Sequence, residues 1–403
     1  MVEIRPFRGY LYNPGVVKDI SSVVAPPWDV IDGEEEKRLL SSSEWNVIRL
    51  ISQGIRPSEA ESRFHGWIRE RVLIRDGSDS FYSLRHNFSH AGKIVERKGI
   101  FALLKIEDFK KGNIIPHEHV FEKYHNNRYK LIEKCRANFS PVFMLYADRE
   151  KRIEDIIDRT PVECEGAMKE DRFRFGRIGA LGDVERIKSI INPEKLLIAD
   201  GHHRYQAAYR FYADNPDETN GYILVFLANL ESPGLMILPT HRYIPHDVSF
   251  LRSMASFEEY FHVEKAGGMD AMFEKMGKLL DKHAFGIYEE GSYYLINLKD
   301  AGKTLQEFGQ DGHSTEWLAL DNVILKNIIL DRILNLGEKE ISYHASPEYL
   351  LAGYGRRKKG FIAFVNPVSK DAFLKISLNN EKMPQKTTYF YPKVPTGLVI
   401  NKF

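Results

Sequence analysis

Apolar and polar positions along the chain divide it into short strands and helices. Residues 22–25 read as a short strand, stopped by Pro26 and Pro27. Residues 57–72 carry Phe64, Trp67 and Ile68 on one side, so an amphipathic helix is expected there. Residues 99–106 and 142–146 have strand patterns, and a helix is expected between them over 127–136. Another helix over 183–191 closes at Asn192-Pro193. Residues 195–199 form an apolar run of the kind found in strands buried on both faces. A helix follows over 204–212, with Ala207, Ala208 and Phe211 available for packing, and then strands over 222–228 and 235–238. Further helices are expected over 269–283 and 317–334. Residues 379–393 turn polar and rich in Pro, Lys and Thr, but their interleaved aromatics argue for a packed loop rather than a free tail.

Strands alternating with helices predict an α/β protein with a mixed sheet. At 403 residues the chain is too long for one ordinary core. A gentle shift of composition after Pro245 divides it into 1–245 and 246–403. Hydrophobic residues make up 43% and charged residues 28%, as in ordinary globular proteins. Lys+Arg is 57 against Asp+Glu 56, a net charge of +1 with no basic run, which disfavours a nucleic-acid partner. Two cysteines, Cys135 and Cys164, exclude a disulfide framework and a four-cysteine zinc site. The first residues lack the apolar core of a signal peptide, and the longest apolar stretch, near 222–230, is too short for a bilayer. A soluble, cytoplasmic protein without a membrane partner is therefore expected; no oligomeric state follows.

The chemistry concentrates at Asp200-Gly201-His202-His203-Arg204, directly after the apolar run. Free N–H groups at the start of a helix carry partial positive charge and form an anion site without any side chain. Gly201 allows a phosphate to approach the backbone. His202, His203 and Arg204 supplement those donors, and the Arg fork matches phosphate oxygens. Asp200 has three candidate roles: helix cap, Mg²⁺ ligand or proton acceptor.

Pro116-His117-Glu118-His119 precedes a helix bearing Arg128, Lys130 and Lys134. Glu118 is a candidate metal ligand or general base, with His117 and Arg128 as supporting groups. Phe121 stands where a His-Glu-x-x-His zinc helix needs its second histidine, so that reading fails. Asp29, after Pro26-Pro27-Trp28, is expected where a strand gives way to a loop, a frequent place for catalytic groups. Thr240-His241-Arg242 follows another strand. Lys386, Lys393 and Thr396 lie in the C-terminal segment that is expected to return toward an anionic ligand. No P-loop, dinucleotide-binding glycine fingerprint or Gly-x-Ser-x-Gly elbow occurs.

Taken in order, Arg5-Pro6-Phe7, Ala25 to Val30, Pro116-His117-Glu118, Ala199 to Tyr205, Thr240-His241-Arg242, and Met383 to Thr388 through Pro392-Lys393 resemble a widespread family known as a domain of unknown function. Trp28 stands where that family usually has Tyr, and Thr387 where it usually has Ser. The Asp-Gly-His-His-Arg segment also resembles the phosphate-binding turn of the ParB/sulfiredoxin superfamily, which includes free-serine kinases. The resemblance implies a ParB/sulfiredoxin-like core in 1–245, with a large insertion at about 50–190, and a C-terminal α/β region whose tail returns to the site. It also implies a phosphotransferase that converts free L-serine to O-phosphoserine with Mg²⁺ and pyrophosphate, or a nucleotide, as donor. Gly201, His202, His203, Arg204, Lys386 and Lys393 would then bind phosphate. Asp200 or Glu118 would hold Mg²⁺, and Asp29, Glu118 or Asp200 would take the proton. Thr240, His241, Arg242 and Thr396 would support the substrates. Two other readings stay open: a metal-dependent phosphohydrolase and a non-enzymatic ParB-like nucleotide-binding module.

Overall fold

The computed structural model describes all residues except 91, 119–124, 246, 308–311 and 337–340, together with the side chains of 125 and 126. His119 and Phe121 thus lie outside the described residues. Two compact units emerge: Met1–Pro116, Val120–Met236 and Pro392–Phe403 form the first, and His117–His119 with Ile237–Tyr391 the second.

The first unit is built on a nine-stranded mixed sheet. In chain order its strands are β1 (Ile4–Arg5), β2 (Phe81–His90), β3 (Lys93–Lys105), β4 (Ile114–Pro116), β5 (Val142–Tyr146), β6 (Cys164–Met168), β7 (Asp171–Ile178), β8 (Leu196–Asp200) and β9 (Tyr222–Asn229). Across the sheet they run β4-β8-β5-β9-β3-β2-β7-β6, with β1 beside β3. Parallel pairing joins β8 to β4 and β9 to β5; β8 runs antiparallel to β5. Every residue of β5 is buried, which is why it reads as a continuous apolar run instead of an alternation. Helices α1 (Pro57–Arg69), α2 (His125–Cys135), α3 (Leu181–Ile191) and α4 (His202–Asp214) complete the part of the unit that concerns the site. Ile187 and Ile191 of α3 and Tyr205, Ala208 and Phe211 of α4 share one core with Val142, Met144 and Ile198 of the sheet.

The second unit holds a six-stranded antiparallel sheet. Its strands are β10 (His241–Ile244), β11 (Phe261–Ala266), β12 (Ala284–Glu289), β13 (Ser292–Leu298), β14 (Ser342–His344) and β15 (Phe361–Phe364), in the order β11-β13-β12-β15-β10-β14. Side chains alternate between two cores, as the pleat requires. Phe361 and Ala363 join one, and Ile362 and Phe364 the other. Helices α5 (Met269–Lys278) and α6 (Pro347–Arg357) supply Met272, Met276 and Leu350 to the second of these.

Two expected elements, and the setting of Asp29, differ. Residues 22–25 form no strand; a 3₁₀ turn, Ile20–Ser22, leads into one isolated bridge at Ala25. The Asn46 side-chain amide donates to the carbonyls of Ser22 and Val24, so a side chain takes the place of a neighbouring strand. Asp29 accordingly follows no strand and lies in a 3₁₀ turn, Trp28–Val30. The helix expected over 317–334 breaks into Thr315–Leu318, Asp321–Ile324 and a π-helical stretch, Leu325–Ile333. Trp317, Leu320, Val323, Ile324, Leu325, Ile328, Ile329 and Leu330 are all buried, too many for one helical stripe. An extended Leu320 and the wider π turns re-aim them inward. Among the described residues, no helix is long and apolar enough to cross a membrane.

Candidate functional site

Strand β8 extends one residue beyond the apolar run, so Asp200 is its last member. It pairs with Phe143 of β5 after an irregularity between Ile198 and Asp200. Gly201 then turns the chain with φ of 93°, a left-handed conformation that a side chain disfavours. A Cβ at Gly201 would stand 2.8 Å from Arg204 Cζ, so the turn and the arginine occupy the same space. Helix α4 begins at His202, two residues earlier than its apolar pattern predicts, and His202, His203 and Arg204 form its first turn. Gly201, not Asp200, precedes the helix, and no side chain caps it. The cap role considered for Asp200 is therefore not the one it fills.

Asp200 is instead the node of a charge cluster. Its Oδ2 accepts from Arg204 Nη2 at 3.1 Å, and Lys393 Nζ lies 3.4 Å away. Arg204 Nη1 donates to the Pro141 carbonyl. Burial by itself would raise the Asp200 carboxyl, but Lys393, Arg204 and His202 outweigh it and hold the group well below the usual carboxylate range. Asp200 is thus a fixed anion and a weak proton acceptor at neutral pH.

Arg128, the fourth residue of α2, joins this neighbourhood. Its guanidinium lies over the Trp28 ring, 4.1 Å from the centroid, and Nη2 donates to the Ile51 carbonyl at 3.3 Å. Burial pushes it down to about 9, with Asp29 supporting the charge and Arg204 opposing it. It stays a cation at neutral pH. Asp29 itself is exposed. Arg128, Arg204 and Lys393 therefore outnumber the two carboxylates Asp29 and Asp200, leaving a net positive site beside the start of α4.

Burial in the sheet fixes the approach of Lys393. Arg97, fully buried, donates to the Pro392 carbonyl and lies 5.0 Å over Phe143 and 5.2 Å over Phe226. Thr396 is buried too; its backbone pairs with Ala25 in both directions, and its hydroxyl bonds Ser140 at 3.2 Å. Sequence reasoning missed Arg97, Pro141 and Ser140. A signal existed for the first: an arginine in a strand otherwise heading toward an apolar run. The carbonyl of Pro141 leaves no such trace.

The remaining predicted residues belong to the second unit. His117 is buried between the rings of Phe373 and Phe390, with Nε2 2.9 Å from the Thr388 hydroxyl and 3.8 Å from Glu118 Oε1. Glu118 bridges to Met383, whose N–H donates to the His117 carbonyl. Two distant segments of the sequence pattern, 116–118 and 383–388, thus meet. Thr240 is buried, and its carbonyl accepts from Arg242, which also reaches the Lys386 carbonyl at 3.5 Å. Lys386 is exposed, at φ of 58°. The His241 ring packs against Phe364 and Phe273 and accepts from the Val365 N–H; burial, then neighbouring Arg242, lowers it to about 3. Among the described residues, no group of three or more His, Cys, Asp or Glu is arranged to hold a metal ion.

A mixed α/β fold with a cationic strand–glycine–helix turn is the class that these features define. The chain belongs to the family described as "Protein of unknown function (DUF1015)", whose model matches residues 4–323. No curated protein matches it. Among solved structures, it is similar to a conserved hypothetical protein from Pyrococcus furiosus, with 13% identity, TM-score 0.34, and coverage of 74% of this chain and 93% of that one. A free serine kinase in complex with AMP gives 13%, 0.35, 74% and 92%. SbnI with a C-terminal truncation, from Staphylococcus aureus, gives 12%, 0.38, 74% and 86%.

Proposed function

We propose that the protein is a cytoplasmic small-molecule kinase that phosphorylates free L-serine to O-phosphoserine, with pyrophosphate or a nucleotide as donor. The observation that carries the reading is the convergence of Arg204 and Lys393 on Asp200 at the glycine turn that opens α4. Phosphoryl transfer asks for neutralised phosphate oxygens, in-line placement and an oriented hydroxyl. Backbone donors of the first turn, with Arg204, Lys393 and the two histidines, answer the first need. Asp200 holds those cations in place. The serine hydroxyl oxygen attacks the terminal phosphorus, the bridging P–O bond breaks, and the remaining phosphate leaves with its electron pair. Asp29, an exposed carboxylate in the turn beside Arg128, takes the hydroxyl proton. The same turn is the part of the first unit that we assign to a ParB/sulfiredoxin-like core.

The donor set fits a resident metal poorly. Oδ2 of Asp200 is already engaged by two cations, and Glu118 faces His117 in the second unit. Mg²⁺ is commonly held by one or two carboxylates together with substrate phosphates. Such an ion would arrive with the phosphate oxygens of the donor.

Incubation of the protein with L-serine, Mg²⁺ and either pyrophosphate or a nucleotide, followed by phosphorus NMR, tests the reading. Serine-dependent O-phosphoserine is expected. Phosphate release indifferent to serine would make the protein a phosphohydrolase, and no turnover of any donor would make it a binding module.

A further inference from the structure

The guanidinium of Arg128 is held by the Trp28 ring, 4.1 Å from Cζ to the centroid, and by the Ile51 carbonyl at Nη2. Among the described residues, no Asp or Glu oxygen comes within ion-pair distance of it. Asp29 acts on it only at longer range, while Arg204 repels it. Among the described residues, this half-buried cation has a hydrogen bond to the Ile51 carbonyl, a repelling cation nearby and Asp29 as a longer-range carboxylate, with no ion pair of its own. The planar guanidinium fork of an arginine suits a planar carboxylate, which accepts two parallel N–H bonds. The donor phosphates have their own partners at Gly201, Arg204 and Lys393. Trp28 and Asp29 are consecutive in one 3₁₀ turn, so the group that takes the hydroxyl proton sits beside the platform under Arg128.

We propose that Arg128 is the acceptor subsite: its guanidinium, seated over the Trp28 ring, binds the carboxylate of a small hydroxy acid or hydroxy amino acid. This rests on the phosphoryl transfer proposed above and adds the feature that selects the acceptor. Simple alcohols and amino alcohols would be rejected because they leave the fork unpaired.

The test is calorimetric binding to the full chain without donor, using L-serine, 3-hydroxypropionate, which lacks the amine, and ethanolamine, which lacks the carboxylate. L-Serine and 3-hydroxypropionate are expected to bind about 10- to 100-fold more tightly than ethanolamine, the range for a charge-assisted hydrogen bond. Arg128→Met should erase that difference, and Arg128→Lys should keep part of it. Equal binding of L-serine and ethanolamine by the unaltered protein, or no binding of either acid, overturns the proposal. So does full discrimination in a folded Arg128→Met variant. If that variant does not fold, the analogue series and Arg128→Lys decide. Carboxylate-selective binding without O-phosphoserine formation would sink the kinase reading alone. O-Phosphoserine formation with an unchanged serine KM in Arg128→Met would sink the subsite alone.

Discussion

At Asp200–Arg204 of the first unit a strand ends and a helix begins; at Thr240–Arg242 of the second, similar residue types lead into another strand, which starts at His241. The outcomes diverge. In the first, Gly201 lifts the chain out of the sheet, and Arg204 and Lys393 converge on one carboxylate. In the second, Arg242 bonds the carbonyls of Thr240 and Lys386, and the His241 ring fills an aromatic pocket. One arrangement gathers two cations round a single carboxylate; the other ties Arg242 to backbone carbonyls and packs His241 among aromatic rings. Polar residues after a strand therefore meet different fates. A change of direction at Gly201 gathers charged side chains round one carboxylate, whereas a chain that runs on into a strand ties them to the sheet.

Three perturbations sharpen the contrast. The largest effect is expected from Asp200→Ala, which leaves Arg204 and Lys393 without their shared anion. Removing one partner from a buried charged group costs on the order of 3 kcal/mol, and serine phosphorylation should be lost. Urea unfolding and the phosphorus NMR assay measure both; wild-type stability and activity would dissolve the idea of a node.

Gly201→Ala comes next. It combines a positive φ with a Cβ 2.8 Å from Arg204, a side chain that the Pro141 carbonyl and Asp200 hold in place. A loss of about 2 kcal/mol is expected, with a raised donor KM. A variant with unchanged melting temperature and KM would show that the left-handed turn matters to neither.

The smallest effect concerns pH. His241 is held neutral, at about 3 when folded, against roughly 6.5 unfolded. Below 6.5 the unfolded state binds the extra proton, so stability falls as pH drops from there toward 3. By pH 5.5 the loss is about 1 kcal/mol relative to neutral pH. His241→Gln, which keeps an acceptor for the Val365 N–H, should make that slope shallower, leaving the part due to buried His86, likewise held neutral by burial and Arg97. Asp200 behaves oppositely. Its lowered group contributes fully above its unfolded value of roughly 3.9 and loses that only in stronger acid, so it adds no slope between pH 7 and 5.5. Equal slopes in wild type and His241→Gln would contradict this division.

Much of the first unit is legible from local pattern. Strand Val142–Tyr146 and the end of α3 at Ile191 coincide with their apolar runs, because strands and helices buried by one sheet show that burial in their composition. The 22–25 segment misled for a reason outside any local window: Asn46, more than twenty residues away, satisfies its carbonyls. The 317–334 segment misled because its apolar positions outnumber one helical face.

The site divides in the same way. By itself, the sequence determined the strand–glycine–helix turn, since an apolar run followed by Asp-Gly and an amphipathic stretch has few other local solutions, and it marked Arg204 and Lys393 as phosphate ligands to be tested. Only the tertiary structure decided that Asp200 is held by Lys393, almost two hundred residues later, and is an anchor rather than a cap. It also set Arg128 on Trp28 and fixed Pro392 through buried Arg97. Charge pairing depends on distance in space, and separation along the chain carries no record of it.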